Sequence, residues 1–296
     1  MPTIVGAATA ARQPPLFLVV GGTPMDNALG DFLRARRELV TPAEVGLPPG
    51  NTLRRVPGLR REEVALLAGI SAEYYLRLEQ GRDRSPSAQV IDAIAGVLRL
   101  DAEGTAYLLA LAQPKSRRRP ARSDDPVPAG LALLLRTINV PAMVINRYND
   151  VVAANALAQE LSPDNAPGVN RLRSLFLDPA APGYHPDWEK ITVAAVAHLR
   201  AQAGTDTDDE RLQALIEEMS LESDRFRHLW ARHDVRLATG GHVRVRHPKV
   251  GDLDLLVEKF AVVGSDGLEA LLLHAEPDTP TADALALLSS MVLEAR

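Results

Sequence analysis

The chain has 296 residues, no cysteine, 46% apolar residues and a formal net charge of −5. That length and apolar fraction provide for two domains, each with its own core. The absence of cysteine excludes disulfides and thiolate metal sites and fits a reducing compartment, so the cytoplasm is the expected location.

Residues 1–24 lack helical or strand periodicity, and LFLVV at 16–20 is too short to cross a bilayer and lacks the basic flank of a secretory signal. Neither export nor membrane association is predicted. Met25 stands directly before a helical pattern, so 1–24 reads as a leader that is disordered or not translated. From Leu29, the segment LGDFLRARRELV repeats apolar residues at Leu29, Phe32 and Leu33, which predicts a first helix. The connection that follows, TPAEVGLPPGNTLRRVPGLRREE, is longer than a helical bundle needs; it carries Arg54, Arg55, Arg60 and Arg61 and has the reach to touch a DNA backbone.

Residues 62–82, EEVALLAGISAEYYLRLEQGR, read as helix, turn and helix. Val64, Ala65 and Ala68 recur at helical spacing, Gly69 suits a left-handed helix end, and Ser71 suits the next N-cap. Small Ala65 permits two steeply crossed helices to approach. The second helix places Tyr75 and Leu78 on a packing face and Ala72, Glu73, Tyr74 and Arg77 on or near the free face, until Gly81 stops it. In SPSAQVIDAIAGVLRL, Ser85 is the expected cap, Pro86 the first helical residue, and Val90, Ile91, Ile94, Val97 and Leu98 the buried stripe. Asp101 caps a fifth helix, DAEGTAYLLALA. An all-helical domain over 25–113 results.

SRRRPAR at 116–122, punctuated by Pro114, Pro120, Pro126 and Pro128, marks a basic linker over 114–127. A solvated tether and an auxiliary phosphate contact both fit this run. Charge divides at this linker: residues 1–122 hold 17 basic and 12 acidic side chains, and the remainder 16 and 26.

Residues 29–112 resemble the helix-turn-helix domain of XRE/Cro-type regulators, because the Arg-bearing insert, the turn and the Leu-Glu-Gln-Gly-Arg ending occur together. The run VPGLRREEVALLAGISAEYYLRLEQGR is closer still to the actinobacterial branch that carries a MmyB-like ligand-binding domain. The resemblance implies that the second helix of the motif enters the major groove of promoter DNA with Ser71, Ala72, Glu73, Tyr74 and Arg77. Arg77 suits a bidentate contact to guanine, Glu73 can accept from a cytosine amino group, and Tyr74 can touch phosphate or a thymine methyl. An intrahelical ion pair between Arg77 and Glu73 is the alternative. Arg60, Arg61, Arg82 and Arg84 would hold phosphates and set position. Arg61 departs from the glutamine that many relatives carry there.

The acidic part, 128–296, opens with PAMVINRYNDVVAANALAQEL, a strand, an Asn/Asp turn, a strand and a helix. Three helical segments follow, and then strands at HVRVRH, DLDLLVEKFAVV and LEALLLHAE. This order predicts an antiparallel sheet with helices on one face. It is similar to a PAS-like domain, and residues 128–278 resemble the MmyB-like ligand-binding region. The matching residues are Asn146 with Asp150, Asn155 to Ala158, Leu175 to Pro179, Trp188, Phe226 to Val235, and His247-Pro248 followed by Gly251. Ala154 departs from the tryptophan common in relatives. The implied fold class is mixed: an all-α five-helix unit and an α+β PAS-like unit.

What this resemblance implies is a sensor enclosing a small apolar effector, a fatty acid in the best-fitting case. Met143, Ile145, Val152, Phe226, Trp230 and Phe260 are candidates to line its pocket, although residues of this kind at these spacings also serve as ordinary core. The indole donors of Trp188 and Trp230 mark either a polar end of a cavity or satisfied core positions. All seven histidines follow residue 184, but no HExxH or H-x3-H spacing exists, and neither a G-x-S-x-G nor a Walker loop is present. No metal, cofactor or catalysis is predicted. The expectation is an effector-responsive, sequence-specific transcription regulator that binds double-stranded DNA as a homodimer. The alternative is an effector-free regulator whose second domain only dimerises.

Overall fold

The computed structural model describes residues 27–48, 57–83, 85–113, 126–203, 209–237, 240–265 and 267–294. The leader at 1–24, Arg54, Arg55, Arg84 and linker residues 114–125 lie outside the described residues.

The N-terminal unit is α1 (Ala28–Leu39), α2 (Arg61–Leu67), α3 (Ala72–Glu79), α4 (Ala88–Val97) and α5 (Ala102–Ala112), with a 3-10 turn at Pro42–Val45. Gly69 has a φ of +68°, the left-handed conformation that ends α2, and the Ser71 hydroxyl accepts from the Tyr74 N–H to start α3. Ser87, not the expected Ser85, caps α4, because its hydroxyl accepts from the Val90 N–H; Pro86 therefore lies before the cap. Asp101 caps α5 by accepting from the Gly104 N–H. Leu33, Val64, Tyr75, Leu78, Ile94, Leu98 and Leu108 form one buried core. Helix α1 crosses α3 at Gly30, where an added Cβ would stand 2.1 Å from the Glu79 carbonyl oxygen, so no larger residue fits.

The C-terminal unit begins with α6 (Ala129–Thr137), followed by β1 (Ala142–Ile145), β2 (Val151–Ala154) and α7 (Ala156–Leu161). Next come α8 (Arg171–Leu177), α9 (Ala181–Tyr184), α10 (Trp188–Ala203), α11 (Glu210–Glu222) and α12 (Asp224–Ala231). The chain then returns to the sheet through β3 (Gly240–His247), β4 (Gly251–Ala261) and β5 (Glu269–His274), and ends in α13 (Pro280–Glu294). All pairings are antiparallel, in the order β2-β1-β5-β4-β3.

Strand alternation divides the sheet between two cores. Met143 and Ile145 share one with Leu255, Leu271 and Leu273, and with Leu157 of α7 and Leu288 of α13. Ala142 and Val144 point to the other, where Leu135 of α6 packs. The expectation of helices on one face is thereby corrected: α6, which the sequence patterning does not predict, covers part of the second face. Helix α13 is also unpredicted. Helices α10, α11 and α12 form a further cluster around Leu199, Leu215, Met219 and Phe226.

The Asn and Asp residues that carried the resemblance hold the backbone. The Asn146 side-chain oxygen accepts from the N–H groups of Tyr148 and Asp150, closing the β1–β2 turn around Asn149, whose φ is +64°. Asn155 accepts from the N–H groups of Ala142 and Ala158 and donates to the Val140 carbonyl. Asn170, which the sequence reading did not single out, caps α8 and donates to Tyr148 and Asp150.

Candidate functional site

Two surfaces follow from this architecture. The first is the free face of α3. Tyr75 and Leu78 are fully buried, whereas Ala72, Glu73 and Arg77 are exposed and Tyr74 is half-buried at the edge of the core. Arg77 lies 3.5 Å from Glu73 and its guanidinium is 5.6 Å from the Tyr74 ring centroid. The intrahelical pair is thus formed in the free chain, but at 45% and 81% side-chain exposure it is weak enough for another partner to displace. Ser71 is exposed, with its hydroxyl engaged as a cap. Arg60 is the exposed N-cap residue of α2, and Arg82 is exposed just beyond α3.

Arg61 is more constrained than an ordinary surface arginine. Its Nε lies 2.5 Å from Glu79, and the other Glu79 oxygen accepts from Arg37 at 2.6 Å. Glu79 and Arg37 are buried, and Arg37 also donates to the Leu59 carbonyl. One carboxylate therefore ties the core to an arginine that remains 43% exposed at the start of α2.

The second surface is internal. A cavity of about 240 Å³ lies between the inner face of the sheet and helices α8, α9 and α10. Ile145, Leu161, Val245, Leu271 and Leu273 give it apolar walls, Ala194 and Ala195 of α10 leave room, and Arg171, His185, His198 and Lys259 supply polar groups. Of the six residues singled out as a lining, Ile145 is part of the wall, and the other five lie elsewhere. Met143 packs in the inner core, Val152 joins the α6 side, and Phe226 stacks on Trp230 within the helical cluster, ring centroids 5.8 Å apart. Phe260 is 54% exposed, because it alternates out of phase with Lys259 on β4. The Trp188 indole is a satisfied, half-buried donor, bonded to the Leu175 carbonyl at 2.8 Å.

Large side chains fill their own space, so size is a poor guide to a void. The useful signal was charge in phase with apolar residues: Lys259 follows Leu253, Leu255 and Val257 on the inward face, and Glu269 precedes Leu271 and Leu273.

A seam joins the two units. Arg36 of α1 donates to Asp234 at 2.5 Å, His233 stands edge-on to Phe32 with ring centroids 6.2 Å apart, and Val235 packs against the N-terminal core. The Leu237 N–H donates to Glu103 at 2.7 Å. From α10, Arg200 stacks 3.7 Å over the Trp230 ring centroid, lies 3.2 Å from the His233 ring and bonds to Tyr107 of α5. Burial, then Arg200 and Arg36, push the His233 pKa down to about 3, so the ring is neutral at the seam.

Fold and site together define a DNA-binding transcription regulator with a ligand-binding sensor domain. Residues 28–108 match a helix-turn-helix domain family, and residues 127–288 match the MmyB-like transcription regulator ligand binding domain. The chain belongs to the MmyB-like family. No curated protein matches it. Both matched families are regulatory rather than enzymatic. Among the described residues, no helix is long and apolar enough to cross a membrane.

Proposed function

We propose that the protein is a cytoplasmic homodimeric regulator whose operator binding is set by a small apolar, fatty-acid-like effector held in the sheet–helix cavity. The observation that carries this reading is the double duty of α10. Ile191, Ala194, Ala195 and His198 face the cavity, while Lys190, Val193, Ala194 and Ala197 line the groove against the DNA-reading unit. An occupant that displaces α10 changes the footing on which α1 and α5 rest.

Such a ligand acts only through unequal affinity for the two arrangements of the seam. A dimer presenting two α3 helices about 34 Å apart matches successive major grooves on one side of duplex DNA. The test is native mass spectrometry beside the denatured mass, followed by operator titration with the released species. A dimer carrying a small amphipathic adduct that alters operator affinity supports the reading. A clean dimer whose operator affinity is unmoved by added lipids supports the effector-free regulator.

A further inference from the structure

The C-terminal end of α10 carries anchors on opposite sides. His198 lies 3.1 Å from Glu269 of β5, and Gln202 donates to the other oxygen of that carboxylate. Being four residues apart, these two share a face and tie the helix to the sheet. Arg200, two residues from each, projects about 200° away, toward the DNA-reading unit. It is 5% exposed, and among the described residues its partners are all neutral. It donates to the Trp230 carbonyl at 2.5 Å, stacks 3.7 Å from the Trp230 ring centroid, lies 3.2 Å from His233 Nδ1 and bonds to the Tyr107 hydroxyl. Its Nε is buried without a partner, and Asp234 acts on it only through space.

Dehydrating a guanidinium is costly, and a carboxylate ordinarily answers the charge. Here dipoles and a π face answer it instead. Withdrawing Arg200 gives up neutral contacts but restores hydration, two terms of opposite sign and similar size. The contact is therefore poised near balance. Of its partners, only Tyr107 belongs to the DNA-reading unit, and from there the packing continues. The Tyr107 ring lies 5.4 Å from that of Phe32 in α1, and Asn27, the N-cap of α1, donates to the Glu79 carbonyl of α3 at 2.8 Å.

We propose that Arg200 is the latch of the seam, a positioning residue through which α10 holds the DNA-reading unit, and that it leaves Tyr107 when the two units change arrangement. In the effector reading above, on which this rests, the effector is what moves α10. By linkage, an operator that prefers one arrangement of the seam shifts the seam in return, so the latch responds to DNA without any effector. Its departure from Tyr107 also changes how the charge sits on Trp230, which makes the indole a built-in reporter.

The test uses the full chain with Trp188→Phe, which leaves Trp230 as its one tryptophan, and a duplex that the native chain selects from a random pool. Saturating duplex is expected to change the Trp230 emission. Arg200→Met abolishes that change and alters duplex affinity about fivefold or more. Its urea midpoint stays close to that of the parent, since an apolar side chain of similar length replaces a dehydrated charge. Emission unmoved by duplex in the parent overturns the latch. So does Arg200→Met with the parent's affinity and emission response, or an affinity that falls only in step with the urea midpoint. If Arg200→Met does not fold, Tyr107→Phe, which removes a single hydroxyl, decides by the same two readouts. Each of these failures leaves the effector reading to its own test, the adduct and its effect on operator affinity.

Discussion

Arg36 of α1 and Asp234, three residues beyond α12, meet at 2.5 Å and form an ion pair across the seam, at 20% and 25% side-chain exposure. Asp234 also lies 2.9 Å from Arg232, which holds the carboxylate in place on its own side. A pair this accessible contributes at most about 1 kcal/mol to stability, so its value lies in orientation. Asp234→Asn should leave the midpoint of chemical unfolding almost unchanged while shrinking the effector-dependent shift in operator affinity. Operator titrations with and without bound effector measure this directly; an undiminished shift would place the coupling elsewhere.

Glu79 offers the opposite case, a buried carboxylate whose loss deprives a buried cation of its nearest partner. Glu79→Ala leaves Arg37 with only the exposed Glu38, 3.7 Å away, as a counter-ion, and should destabilise the N-terminal unit by about 2–4 kcal/mol. Arg61→Ala removes only the half-exposed partner and should cost about 1 kcal/mol or less. Urea unfolding of the two variants checks the contrast.

On DNA the two arginines should separate differently. Arg77→Ala is expected to lose about 1–3 kcal/mol and relax selectivity at one operator position, whereas Arg61→Ala should weaken all sequences alike. Binding to a panel of single-base operator variants distinguishes them. Equal, sequence-blind losses for both would remove Arg77 from base readout.

His233 makes the seam sensitive to acid. Its folded pKa of about 3 lies below the ordinary histidine value near 6.5, so its stabilising contribution is complete above pH 6.5 and declines as the pH falls toward 3. By pH 5 the loss is about 1–2 kcal/mol, because the unfolded chain takes up a proton that the folded chain refuses. His233→Asn, which tolerates the positive φ of 54° at this position, should flatten that part of the stability-versus-pH curve. A wild-type slope retained in the variant would assign the acid sensitivity to another group.

Local physics made much of the architecture legible. Caps at Ser71 and Asp101, the left-handed Gly69 and the Asn146 turn depend on neighbours within a few residues, and sequence displays such neighbours. Helix α6 was harder to see because AGLALLLRT is apolar around most of its circumference and only Leu135 is fully buried, so periodicity carries little information. The capping serine of α4 was misread because Ser85 and Ser87 flank the same proline and only geometry chooses between them. The cavity was least legible. It exists where side chains are small, at Ala194 and Ala195, and where Arg171 meets Lys259 from distant parts of the chain. Neither condition is visible in a search for large apolar residues.

The two-sided placement of α10 also restricts how this molecule can diversify. On the proposed reading, a substitution at Ala194 alters ligand fit and domain docking in one stroke, since the same residue borders both spaces. Val245 and Leu273 on the sheet wall border the cavity without bordering the groove. New chemical preferences are therefore expected to accumulate on the strands, while the helix, bound by both spaces, varies least.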